Sequence, residues 1–189
     1  MPLMSRLKNL SGNAAIVGVA ESDEIGKLPN KSPLQLHAEA AHNALTDAGI
    51  DKSEVDGFFT AGYVNYEVAE YLGIAPRFTD NTWVGGASFV IHIAHAIAAL
   101  QAGYCEVALI THGQSGRSDR ARMPLMGLPH NPGVPAQQYE APFGIIGPPA
   151  TYSLAARRYM HQYGYDRTRQ ALCEIAVSTR KWANLNPKA

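Results

Sequence analysis

The sequence predicts an α/β fold built around a mostly parallel sheet, and two features carry that expectation. Short β-rich runs alternate with longer alanine-rich stretches in the order strand, helix, strand, helix, strand, helix, strand, the order that right-handed crossovers produce. The 189 residues are 46% hydrophobic and 17% charged, enough apolar material for one sizeable core. Together these exclude an all-β sandwich, a coiled coil and a disulfide-stapled miniprotein.

Taken in order, Ala14–Val19 (AAIVGV) is a continuous apolar run of strand length, the pattern of a strand buried on both faces. Ser32 followed by Pro33 marks a helix start: the serine oxygen caps free amides, and the fixed φ of proline suits the first helical position. Leu34, Ala38, Ala41, Leu45 and Ala48 then recur at helical spacing, and Gly49 supplies the left-handed stop. Val55–Ala61 reads as a second strand. A short helix over Asn65–Leu72 ends at Gly73, and Arg77–Trp83 is a third extended segment. Gly85-Gly86-Ala87-Ser88 opens a helix running to Ala102 with Gly103 as its stop, and Cys105–Thr111 is a further strand. From His112 to Pro149, Gly and Pro follow in quick succession without a period, as in a lid, binding loop or interface segment. Two helices are expected after it, Thr151–Tyr163 and Arg167 to about Leu185, the second with Ala171, Leu172, Ile175, Ala176 and Trp182 as its apolar stripe. The chain thus divides into a core (1–112), a loop or lid (113–150) and a helical segment (151–189).

Sixteen basic and sixteen acidic residues cancel, so no basic face for a phosphate backbone is implied and nucleic acid is a poor partner. No apolar run approaches a membrane span, and the first residues lack the pattern of a secretory signal, so a cytoplasmic protein is expected. Cys105 and Cys173 stand far apart with no CxxC or His-rich spacing, which indicates neither a disulfide framework nor structural zinc.

The Gly85–Ser88 turn has two readings. Small residues at a helix start let an anion or oxyanion approach backbone amides, and glycines also serve a tight turn and close helix packing. It is not GxGxxG and lacks the lysine of a phosphate loop. Ser88 has no GxSxG context, so it reads as a packing or capping serine rather than a nucleophile. His92 and His95 share a helix without a third ligand, as a polar flank or satisfied core histidines do, and no metal is assigned. His112, at the end of a strand, stands where α/β proteins place binding groups. Cys105 and Cys173 read as unreactive thiols. Arg117, Arg120 and Arg122 could meet the phosphates of a charged ligand or line a solvated loop.

Three stretches, taken together and in this order, resemble the thiolase superfamily, in its lipid-transfer-protein and acetyl-CoA acetyltransferase-like branch. They are AAIVGVAES with LQLHAEAAHNALTDAGIDKSEVDGFFT; GGASFVIHIAHAIAALQAGYCEVALITHGQS; and PFGIIGPPATYSLAARRYMHQYGYDRTRQALCEIAVSTRKWANLNP. The resemblance implies a layered α/β/α unit that forms the first half of a five-layer fold made of two similar halves, with dimerisation through the strand near Arg77–Trp83. It places Gly86 where the family carries its acyl-accepting cysteine, so a covalent acyl-enzyme has no attachment point there, and Cys105 follows the far end of the helix. It also implies that the half holding the family's catalytic histidines and second cysteine lies beyond this sequence, whether on a truncated remainder or on a separate chain.

Some cysteine-less members of the branch act as retro-aldolases on a β-hydroxyacyl-CoA side chain, steroid or lipid, together with an OB-fold partner. On that resemblance the chain is expected to be a thiolase-like acyl-CoA enzyme subunit without acyl-cysteine, part of an acyltransferase or of an aldolase, with retro-aldol cleavage of a β-hydroxyacyl-CoA as one such reaction, coenzyme A as the substrate carrier and no covalently bound cofactor. The alternative is a non-catalytic acyl-CoA- or lipid-binding or assembly subunit. Gly85, Gly86, Ala87 and Ser88 would polarise the thioester, and His112, Phe143 and Gly144 would contact substrate. Arg117, Arg120 and Arg122 would hold coenzyme A phosphates. A homo-oligomer or a complex with a complementary thiolase half is expected.

Overall fold

The computed structural model describes residues 12–118, 135–145 and 147–187. The chain falls into two compact units, Met1–Ser115 and Gly116–Ala189.

In the first unit, α1 (Pro33–Ala48) begins at a complete capping box: Ser32 accepts from the Gln35 amide while the Gln35 side chain accepts from the Ser32 amide. Gly49 at φ 68° ends it. β1 (Gly57–Phe59), α2 (Asn65–Leu72), β2 (Phe78–Asp80), α3 (Ser88–Gln101) and β3 (Ala108–Ile110) follow. The sheet order is β2-β1-β3 with both pairings parallel, and Phe58 lies opposite both Thr79 and Leu109.

Two apolar clusters define the layers. Phe58 and Leu109 pack with Ala41 of α1 and Val68 and Ala69 of α2 on one face. Phe59, with Phe78, Ala108 and Ile110 beside it, meets Ala96 and Ala99 of α3 on the other. Helices therefore cover both faces of a parallel sheet, the expected α/β/α layering.

Several boundaries differ from expectation. The three strands are paired over three residues each, well inside the segments Val55–Ala61, Arg77–Trp83 and Cys105–Thr111. Residues 14–20 form no strand with any of the described residues, rather than the buried strand expected, and Ile16, Val17 and Val19 are 60–75% exposed. What holds the segment is α1: the Val19 amide donates to Asp47 Oδ2, and Gly18 lies so close that a Cβ there would sit 2.3 Å from the Ala44 carbonyl oxygen. Apolarity made this run read as a strand, yet no ladder partner lies beside it among the described residues.

In the second unit, the stretch expected as loop contains α4 (Pro135–Glu140), a 3₁₀ turn at Ala141–Phe143 and the start of α5 (Gly147–Tyr163). The helix begins at Gly147 rather than Thr151 because Pro148 and Pro149 fall in the first turn, where a missing N–H costs nothing. α6 (Tyr165–Ala183) follows Gly164 at φ 94° and packs against α5, burying Thr168. Its stripe remains exposed at Leu172, Ile175 and Trp182.

Candidate functional site

Chemistry-bearing side chains gather at the carboxyl ends of the parallel strands, the end where α/β proteins place ligands. β3 delivers Thr111 and His112, β1 delivers Thr60 and the loop to Tyr63, and β2 delivers Asp80 and the turn into α3.

Ser88 is fully buried, and its Oγ accepts from the Val84 amide at 2.9 Å and donates to the Gly85 carbonyl at 2.6 Å. Its hydroxyl holds the turn together. Gly85 takes φ 74°, a conformation side chains resist, whereas Gly86 has nothing within 4 Å of where a Cβ would stand. The helix therefore opens on exposed backbone at Gly86 and Ala87. His112 reaches this place: its ring centroid lies 4.2 Å from that of Phe89, the residue after Ser88. Burial lowers the His112 pKa, partly offset by a hydrogen bond with Gln114.

Behind His112 stands His37 of α1, fully buried, with Nδ1 2.9 Å from Thr111 Oγ1 and Nε2 without a partner. Desolvation, then the proximity of His112, lowers its pKa to about 4, so it is neutral at pH 7. Its ring meets Tyr63 edge-on at 5.6 Å. Gly113 makes the approach possible, since a Cβ there would come within 2.5 Å of the His37 ring. Thr60 Oγ1 donates to the Thr111 carbonyl at 3.2 Å, tying the ends of β1 and β3 together.

His92 and His95 have different surroundings. His92 is a buried core histidine whose Nε2–H donates to the Thr82 carbonyl at 3.1 Å, leaving Nδ1 unpartnered. His95 is half-exposed and its Nδ1 lies 2.5 Å from Asp80 Oδ2. Burial works to raise the Asp80 pKa, but hydrogen bonds from Thr82 and His95 outweigh it and hold the carboxyl below its ordinary value. No group of three metal-ligating side chains occurs among the described residues. Cys105 is buried against Gly57, and burial raises its thiol pKa; Cys173 is exposed on α6.

The structure thus brings Gly85, Gly86, Ala87, Ser88 and His112 into one neighbourhood. Arg117, Phe143 and Gly144 belong to the second unit, where Arg117 and Phe143 are exposed and Gly144 closes the 3₁₀ turn at φ 73°. Arg120 and Arg122 lie outside the described residues. Sequence reasoning missed His37, Tyr63, Asp80 and Trp83. His37 carried a signal, for it stands between Leu34 and Ala41 at helical spacing, inside the core stripe.

No family model matches the chain. Among curated proteins it is 35% identical over 187 residues to a steroid side-chain-cleaving aldolase of Thermomonospora curvata, covering 95% of this chain and 47% of that protein. It is 34% identical over 188 residues to the 17-hydroxy-3-oxo-4-pregnene-20-carboxyl-CoA lyase of Mycobacterium tuberculosis, covering 95% of this chain and 48% of that one. Among solved structures, a chain of an Ltp2-ChsH2(DUF35) aldolase superposes with a TM-score of 0.66 at 30% identity, over 79% of this chain and 38% of that one. The chain spans about half the length of the curated relatives it matches. No helix among the described residues is long and apolar enough to cross a membrane. With sequence and layered fold pointing the same way, the chain is a relative of the thiolase superfamily.

Proposed function

We propose that the protein to which this chain belongs cleaves a β-hydroxyacyl-CoA by a retro-aldol reaction, with a steroid-like or other ring-bearing group on the β carbon. The observation that carries this reading is the 34–35% identity to a side-chain-cleaving aldolase and an acyl-CoA lyase across 95% of the chain. The open backbone at Gly86 supports it: a glycine offers no nucleophile to acylate, and a retro-aldol cleavage needs none.

In the reaction a base removes the β-hydroxyl proton, the Cα–Cβ bond breaks, and its electron pair moves to the thioester carbonyl as an enolate. A proton returned to Cα gives the shortened acyl-CoA and a carbonyl compound. Amides at the start of α3, within Gly85–Ser88, would stabilise the enolate oxygen, helped by the positive end of the helix, the Ser88 amide excepted because it already donates to the Gly85 carbonyl. His112, neutral near pH 7, would contact the substrate, as would Phe143 and Gly144. Arg117, Arg120 and Arg122 would meet the coenzyme A phosphates. An OB-fold companion and a complementary thiolase half, on the same polypeptide or another, are the partners this reading calls for.

The test is incubation of the protein, co-expressed with an OB-fold companion, with a β-hydroxyacyl-CoA bearing a steroid ring system. Formation of the ketone and the shortened acyl-CoA in equal amounts, with no acyl adduct in the intact mass, is expected. An intact substrate, or an acylated chain, overturns the reading.

A further inference from the structure

The crossovers leave a crevice whose position follows from the strand order. The chain leaves β1 for α2, which packs with α1 on one face, and leaves the neighbouring β2 for α3 on the other face. Two adjacent parallel strands whose outgoing loops part to opposite faces form a topological switch point, where open α/β sheets bind ligands. A cleft of about 490 Å³ lies there, lined by Gly62, Tyr63 and Val64 after β1, Glu67 in the first turn of α2, and Asn81 and Trp83 after β2. It is open to solvent over most of its extent, so it would cover one face of a ligand rather than enclose it.

The walls are set in place. Trp83 rests on Gly62, where a Cβ would come 3.2 Å from indole Cζ3, and Gly62 takes φ 86°. Tyr63 is backed edge-on by buried His37, which Thr111 holds. Trp83 nevertheless remains 62% exposed and Val64 40% exposed. The polar side chains lining the cleft are the Glu67 carboxylate, the Asn81 amide and the Tyr63 hydroxyl, and no lysine or arginine is among the residues that line it. A pyrophosphate would meet only negative charge there, so the nucleotide end of a coenzyme A thioester does not suit the cleft. A flat apolar ring system does: aromatic and aliphatic walls accept its faces, and a carboxylate and amide accept a hydroxyl at its edge.

We infer that this switch-point cleft seats the ring system of the acyl group, a rigid uncharged polycycle carrying an edge hydroxyl, with Trp83 and Val64 as its apolar contacts and Glu67 as its hydrogen-bond acceptor. This rests on the retro-aldol reading above for its choice of ligand, but its test needs no turnover. The chain has two tryptophans, so Trp182→Phe leaves Trp83 as the single reporter.

Testosterone, free of coenzyme A, should give a saturable change in Trp83 emission. Val64→Asp places a carboxylate against the ring and should weaken binding about tenfold or more. Val64 is the N-cap of α2 and makes no side-chain cap there, so aspartate at that position suits the helix and the variant should fold at least as stably. Emission that does not saturate, or binding equal in Val64→Asp and its parent, overturns the inference. In the turnover assay, Val64→Asp should lower kcat/KM for the ring-bearing substrate about tenfold or more; active enzyme with an unchanged kcat/KM also overturns it. If ring binding sensitive to Val64→Asp persists while no cleavage is found, the retro-aldol reading fails and the cleft stands.

Discussion

Gly86 and Gly85 stand side by side yet would respond differently to substitution. Gly86 faces open space with no left-handed backbone demand, so Gly86→Cys should fold with stability close to the parent, whereas Gly85→Cys should lose about 1 kcal/mol by urea denaturation because its φ is 74°. A thiol at the start of α3 gains acidity from the helix end, and Gly86→Cys should take up an acyl group from an acyl-CoA, read as a mass increase on the intact chain. His37 sets a pH dependence. Its folded pKa of about 4 lies below the unfolded value of 6.5, so between these the unfolded chain binds more protons and stability falls as pH falls. The loss should begin near pH 6.5, level off near pH 4 and amount to no more than about 3.5 kcal/mol. Urea midpoints from pH 7 to 4.5 should show a shallower slope in His37→Leu than in the parent. Such roles were only partly open to sequence reading: the small residues at 85–88 announce a special helix start, but the pairing of His95 with Asp80 joins residues from different elements and leaves no local trace.

At the scale of elements, the sheet is held by close approaches that glycine permits. A Cβ at Gly57 would stand 2.7 Å from Cys105 Sγ and 2.9 Å from Cys105 Cβ, so Gly57→Ala should destabilise by about 1–3 kcal/mol. Cys105→Ala removes the nearer atom only, and the double variant should recover part of that loss in a denaturation cycle. Full additivity of the two single effects would show that the contact does not govern the β1 packing. The helices were legible because caps and spacing are local: Ser32, Gly49 and Gly73 mark boundaries that the structure keeps. The strands were legible in kind but not in extent, since a ladder depends on a distant neighbour. Ala14–Val19 shows why, being as apolar as a central strand and yet unpaired.

For the whole molecule, exposed apolar side chains dominate behaviour. In the first unit Val84 and Val90 at the start of α3 join Ile16 and Val17 on the surface; in the second, Leu172, Ile175 and Trp182 are uncovered. Surfaces of this kind seek partners. The 189-residue chain should therefore sediment as a self-associated species at micromolar concentration, and a single monomer boundary would refute that. The position of the cleft needed the strand order, which the succession of elements alone leaves open. That same order governs synthesis. The central strand β1 is made first and β2 next, while β3, which must cover the other side of β1, leaves the ribosome only after α3, some seconds later at ~5–20 residues per second. During that interval the centre of the sheet has a bare edge, so a nascent chain stalled between Gln101 and Ala108 would be a preferred client for chaperones that hold exposed strands.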